Sequence, residues 1–267
     1  MRPSKVKLAI STFLLLAFSI MATAHEFWLE PVSFWGPKMI IRVRVGEHFN
    51  GENWKGDYSK VRKLHILNHA EVVVLDPTYW LEKPGDSLRI ESPFSGTQTL
   101  IFNSTNSFIQ LGADEFNAYL KEDGLADIMA WRKSNHKDTS GAREYYQRSV
   151  KTLLQNGSSL TPVNYPTQLP LDIVPLSNPY ALKAPGTVNF TVYFQQRLLR
   201  EGLIKAWHIS KEGKLTQQDI QLKEGSFSLD VAPEGKWMVS MVKMVPHTAD
   251  ATADWQSYWA SCTWGYF

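Results

Sequence analysis

Between residues 39 and 45, Met39, Ile41, Val43 and Val45 alternate with Ile40, Arg42 and Arg44. A period of two sets the arginines on the wet face of a strand, and Gly46 closes the run. Further apolar runs at 63–67, 70–75, 87–91 and 97–102 are separated by turn-forming pieces such as Asp76-Pro77, Lys83-Pro84-Gly85-Asp86 and Ser92-Pro93. This part of the chain therefore predicts β structure. The period changes after Gly112: Asp114 and Glu115 stand where a helix start favours negative charge, and Phe116, Tyr119 and Leu120 fall on one stripe. A second helix is predicted over 141–154, with Tyr145, Ser149, Thr152 and Leu153 near one face and Arg143, Glu144, Arg148 and Lys151 near another. Residues 158–170 carry three prolines and little periodicity, which reads as a linker.

Alternation returns at 186–194 through Val188, Phe190, Val192 and Phe194, and more loosely at 203–209. Residues 226–231 and 236–242, joined by Ala232-Pro233-Glu234-Gly235, predict a hairpin, and a last strand runs toward Phe267. The expected fold is mainly β. Two β-sandwich domains, immunoglobulin-like or transthyretin-like, occupy 25–157 and 171–267, with a helical insertion at about 112–157 in the first. A terminal Phe also occurs in outer-membrane barrels, but helices and unevenly spaced strands oppose that architecture. The chain has no Gly-rich phosphate loop between a strand and a helix, which argues against a nucleotide-binding α/β domain.

Residues 1–24 read as a secretion signal. Arg2, Lys5 and Lys7 precede an apolar run over 8–21, and Ala22-Thr23-Ala24 supplies the small residues that signal peptidase needs. The run is short for a membrane span. The expectation is a periplasmic protein without a membrane span after cleavage, beginning at His25. Removing the leader lowers the basic count from 28 to 25 against 26 acidic residues. A near-neutral mature chain lacks the electrostatic footprint of a nucleic-acid binder. Cys262 is the one cysteine, so no internal disulfide can form. Alternation puts it on one strand face with Ala260 and Trp264, as a small buried residue.

A chain that starts with histidine offers two nitrogens to one ion. The α-amine and Nδ1 of His25 suit nickel or copper, and both must lose protons, so affinity should rise with pH. A further ligand is needed, from His48, His65, His69, His208 or His247. His65 and His69 are four apart, but their surroundings read as a strand entering a turn, where that spacing carries no meaning. His136 sits in a polar loop. Glu26, Glu30, Glu47 and Glu52 could do acid and base work only if the fold brings a pair together. Trp28, Trp35, Trp54, Trp80, Trp255, Tyr258 and Trp259 could line a sugar platform or fill cores. No Ser-centred elbow or His-Glu-x-x-His helix is present, so no enzyme activity is expected.

Several phrases together resemble a known family. They are His25-Glu26-Phe27-Trp28-Leu29-Glu30-Pro31, Val45-Gly46-Glu47, Glu115-Phe116-Asn117-Ala118-Tyr119-Leu120, Arg143-Glu144-Tyr145, Asn178-Pro179-Tyr180 and Asp254-Trp255 with Trp259-Ala260-Ser261. The chain resembles an uncharacterised family of bacterial periplasmic proteins grouped with substrate-binding accessory components of nickel and cobalt uptake systems. The resemblance implies a two-domain β protein associated with transition metals. Where such proteins carry a Val-His-Met phrase, this chain has Val242-Lys243-Met244, with His247 three residues beyond Met244. By that neighbourhood, His247 is the first choice as companion to His25. The leading expectation is thus a periplasmic nickel- or copper-binding accessory or carrier, with His25 and His247 as metal ligands and a metal-uptake transporter component as partner. The alternatives are a metal-free module that binds a protein or glycan, and a copper monooxygenase.

Overall fold

In the computed structural model, residues 26–56, 58–76, 79 and 87–267 are described. The predicted leader, His25, Trp80 and the turn at 83–86 lie outside the described residues. The chain runs through β1 (Glu26–Pro31), β2 (Lys38–Glu47), β3 (Asn50–Asn53), β4 (Val61–Leu67), β5 (Val72–Val74), β6 (Ser87–Glu91), β7 (Gly96–Ser104) and β8 (Ser107–Leu111). Two helices follow, α1 (Ala113–Glu122) and α2 (Ala126–Ser134). The remainder comprises β9 (Ala142–Asn156), β10 (Leu171–Pro175), β11 (Gly186–Phe194), β12 (Arg197–Leu198), β13 (Glu201–Ile209), β14 (Leu215–Lys223), β15 (Ser226–Val231), β16 (Lys236–Pro246) and β17 (Trp255–Gly265). The fold is mainly β, a β-sandwich arrangement with a helical insertion.

In β2, Met39, Ile41 and Val43 are buried while Ile40 and Arg42 are exposed, as the period of two requires. This strand pairs with β1 along one edge and with β3 and β6 along the other. Phe27, Leu29, Met39, Ile41, Leu88 and Ile90 of this small sheet pack on Leu64, Ile66, Leu100, Phe102, Val150 and Leu154 of β4, β7 and β9. The large sheet then continues from β9 into β17, β16, β13 and β14. Its other face carries Cys262, Trp264, Val239 and Ile204, covered by Ile173, Phe190 and Leu229 of β10, β11 and β15. Residue parity shows that the small sheet and the β10, β11 and β15 end of the large one cover opposite faces of β9: Val150 and Leu154 point into one core, and Leu153 into the other.

Two sequence expectations are corrected. The helix predicted over 141–154 is β9, so the helical insertion ends at Ser134. This strand pairs antiparallel with β7 and β8 and parallel with β17, and it is covered on both faces, which erases the polar–apolar alternation a half-buried strand would show. The hairpin predicted across 232–235 does not form either. Strand β15 pairs with β11 and β14, while β16 pairs with β13 and β17, so the turn joins two strands that are not neighbours, across the core they both line. Residues 158–170 are irregular but packed, with Val163 and Leu169 buried.

Candidate functional site

The head of β1 is fixed by a tight turn. Glu26 pairs with Gly46, and Glu47 pairs with Asn50, so His48 and Phe49 form a two-residue connection between β2 and β3. Both have positive φ, 55° and 54°. Such a turn favours Asn and Gly, and a bulky residue there is strained. The strain is offset by packing: Phe49 is buried with Trp28, Trp207 and Met238, its ring 5.6 Å from that of Trp28. As a result, the Phe49 amide donates to Glu26 Oε2 at 3.4 Å.

Glu26 is 9% exposed. Burial pushes its carboxyl up to about 7, opposed by the Lys205 charge and the Phe49 and His48 amides. Lys205 lies on β13 and its Nζ stands 2.9 Å from Asp123 Oδ1 and 3.7 Å from Glu122. Asp123 follows the last residue of α1, where Gly124 turns the chain with a φ of +68° and packs against Leu203. The Leu125 amide donates to the Leu120 carbonyl at 2.8 Å, closing the helix end. Burial raises the Asp123 carboxyl to about 6 against the pull of Lys205. Lys205 is disfavoured as a cation by burial, but Asp123 and Glu26 outweigh this and raise its pKa. The cleft among Glu26, Asp123, Lys205, Ser240 and Trp259 has about 10 Å³ of free space, room for roughly one water.

A second polar group lies beyond Asp123. Tyr119 donates to Glu144 Oε1 at 3.2 Å, Ser257 donates to the same oxygen, and Trp259 Nε1 donates to Ser257 Oγ at 3.0 Å. Burial raises Glu144 to about 7, against the hydrogen bonds from Ser257 and Tyr119. Among the described residues, its Oε2 has no hydrogen-bond partner. Asp123 raises the pKa of both Glu26 and Glu144. Glu26 and Asp123 beside Lys205, with Glu144 beyond Asp123, are thus three carboxyls that burial disposes to hold protons near neutral pH.

The predicted ligands are dispersed. His48 is the histidine of the turn that holds Glu26, exposed and with its ring 5.6 Å from that of Trp207. His247 follows β16, its ring 5.2 Å from that of Tyr145 and its Nε2 3.3 Å from Asp250. Ser240, Met241 and Val242 of the same strand line the Glu26 cleft, so the strand rise carries His247 roughly 16 Å beyond the last of them. His208 stacks on Trp237 with ring centres 4.0 Å apart, and His65 and His69 lie on a strand and in the turn after it. Lys243 forms an ion pair with Asp127 at 3.1 Å. Among the described residues, no group of three or more His, Cys, Asp or Glu side chains is arranged to hold a metal ion.

Glu30 and Glu52 stand outside the Glu26 cluster. Glu30 meets Arg44 at 2.9 Å and also Lys236, and Glu52 is exposed beside Lys55. The aromatic residues are largely interior: Trp28, Trp255 and Trp259 are buried, and Trp54 packs edge-on against Phe27 and Phe102. Trp35 is partly exposed, and its Nε1 donates to the Gly265 carbonyl at 3.0 Å. Sequence reasoning missed Asp123, Glu144 and Lys205. One signal was present: Lys205 has the strand parity of Leu203 and Trp207, an inward position for a charge.

Residues 22–244 match the family model described as a domain of unknown function, DUF4198, and the chain belongs to that family. No curated protein matches the chain. Among the described residues, no helix is long and apolar enough to cross a membrane.

Proposed function

We propose that this DUF4198 protein is an exported, periplasmic accessory or carrier for a transition metal, nickel or copper, gripped at a mature amino-terminal His25. The observation that carries the reading is the state of Glu26, the next residue. It is buried, and the Phe49 amide, at a long 3.4 Å, and the His48 amide are what offset its charge together with the more distant Lys205. A carboxylate so poorly compensated favours a cation nearby. His25 is joined to Glu26 by one peptide, which sets their α-carbons about 3.8 Å apart.

In this reading Glu26, at the head of β1, and His48, in the turn beside it, supply the further donors, and His48 replaces His247 as companion ligand. Imidazole and amine nitrogens with one carboxylate suit nickel and copper. Binding would replace the protons on Glu26 and on the amine, so affinity rises with pH. Lys205 and Asp123 neutralise one another behind the donors, and the small cleft excludes bulk water from that side. The corresponding partner is a component of a metal-uptake transporter.

The test is calorimetry with nickel and copper salts on exported protein whose first residue has been established by mass spectrometry. Inserting one alanine before His25, or replacing His48→Asn, should each weaken binding by tenfold or more, about 1.4 kcal/mol. Absence of binding, or equal binding by all three forms, refutes the reading.

A further inference from the structure

A second cavity lies where α2 and the 137–141 loop meet the ends of β9, β16 and β17. It encloses about 410 Å³, within the range of small-molecule sites. Arg132 forms part of its wall and is 2% exposed. Its Nε donates to Asn117 at 3.3 Å, its Nη2 to the Ser140 carbonyl at 2.6 Å, and its guanidinium lies over the Phe116 ring at 4.7 Å. Among the described residues, no carboxylate lies within 4 Å of it. Its anions, Asp138 and Asp254, act on it only from beyond that distance, and a guanidinium buried at that range from them is costly because little solvent remains to stabilise its charge.

The surrounding charges sharpen the point. Arg143 also lines the cavity, but Asp254 holds it with two side-chain bonds of 3.2 and 2.9 Å, and the Ala251 carbonyl accepts a third at 2.8 Å. That pair cancels. Lys137 and Arg132 leave the lining with three cations against the one carboxylate of Asp254, which acts on both of them at longer range together with Asp138 on Arg132, and Asp250 faces His247. The wall also carries Trp131, 46% exposed, set edge-on at 5.2 Å to the buried Trp255. Excess positive charge beside an accessible flat ring defines a guest with one anionic end and one planar apolar end.

We propose that this cavity binds a small organic carboxylate with a flat apolar body, its carboxylate taken by Arg132 and Lys137 and its ring laid against Trp131. Nη1 of Arg132, not used by Asn117 or Ser140, is the donor left for it. The site is separate from the Glu26 cleft, and the metal reading is neither used nor tested by it.

Benzoate is the probe, titrated calorimetrically into the metal-free protein, with benzamide as uncharged isostere and inorganic phosphate as the anion without a ring. Benzoate should saturate one site, with benzamide and phosphate each weaker by tenfold or more. Lys137→Gln and Trp131→Ala, both at exposed positions, should weaken benzoate severalfold while thermal unfolding stays unchanged. Arg132→Gln should abolish binding, and the two surface variants keep the test valid if it fails to fold. Three results overturn the proposal: no benzoate binding at millimolar concentration, benzamide or phosphate equal to benzoate, or indifference of binding to both surface variants.

Discussion

Glu26→Gln should stabilise the protein in mildly alkaline buffer and leave it almost unchanged in mildly acidic buffer. Burial lifts the Glu26 carboxyl from 4.5 to about 7. An acid whose folded pKa lies above its unfolded value holds a proton that the unfolded chain releases. Its contribution is intact below about pH 4.5 and is lost as pH climbs to about 7. Each unit is worth about 1.4 kcal/mol, so ionisation of Glu26 costs the native state about 3 kcal/mol at most. Lys205 and Asp123 face Glu26, with Glu122 behind Lys205, and Asp123 titrates near 6. The attraction to Lys205 is already contained in that value, so the expected gain at mildly alkaline pH stays at about 3 kcal/mol. Glutamine keeps an oxygen for the Phe49 amide and cannot ionise. The assay is urea unfolding followed by tryptophan fluorescence at about pH 5 and pH 8, with chelator present so that no ion can compensate the carboxylate. Equal stability changes at the two pH values, or a larger loss on the alkaline side, would refute the reasoning.

Other consequences follow from buried polar groups elsewhere. Lys151 of β9 and Asp172 of β10 form an ion pair with both side chains 2% exposed, and Asp172 also accepts from the Thr167 amide and hydroxyl. Lys151→Met should cost about 3–5 kcal/mol in chemical denaturation, because it strands a buried carboxylate; adding Asp172→Asn should recover most of it. The Cys262 thiol is fully buried and pushed up to about 12 by burial, against the Lys151 charge. It should therefore resist a thiol-specific chromogenic reagent at mildly alkaline pH until denaturant is added; prompt reaction of the native protein would contradict its placement.

Where one face of a strand is wet, the sequence was readable. The alternation at residues 39–45, 186–194 and 226–231 corresponds to β2, β11 and β15, and the acidic start with a Phe116, Tyr119 and Leu120 stripe corresponds to α1. The same logic put Cys262 inside with Ala260 and Trp264, where all three meet one core. It failed at β9, whose charged and hydroxyl-bearing residues imitate a helical period while the strand is covered on both faces. The site was less legible than the fold. Glu26 and His48 stood among the candidates, but Asp123, Glu144 and Lys205 become a site only when α1, β9 and β13 are brought to the head of β1.

The amino-acid order alone determined that this is a β-rich chain with a short helical insertion, because strand and helix periods are written within a few neighbouring residues. Tertiary structure alone decided which strands pair, that β15 and β16 take different neighbours instead of each other, and that His247 lies far from Glu26 while His48 lies beside it. Pairing and charge burial depend on contacts between residues as much as 234 positions apart, such as the Ser261 hydroxyl on the Phe27 carbonyl. No local pattern encodes such a contact, since its energy arises only when distant segments exclude water from each other.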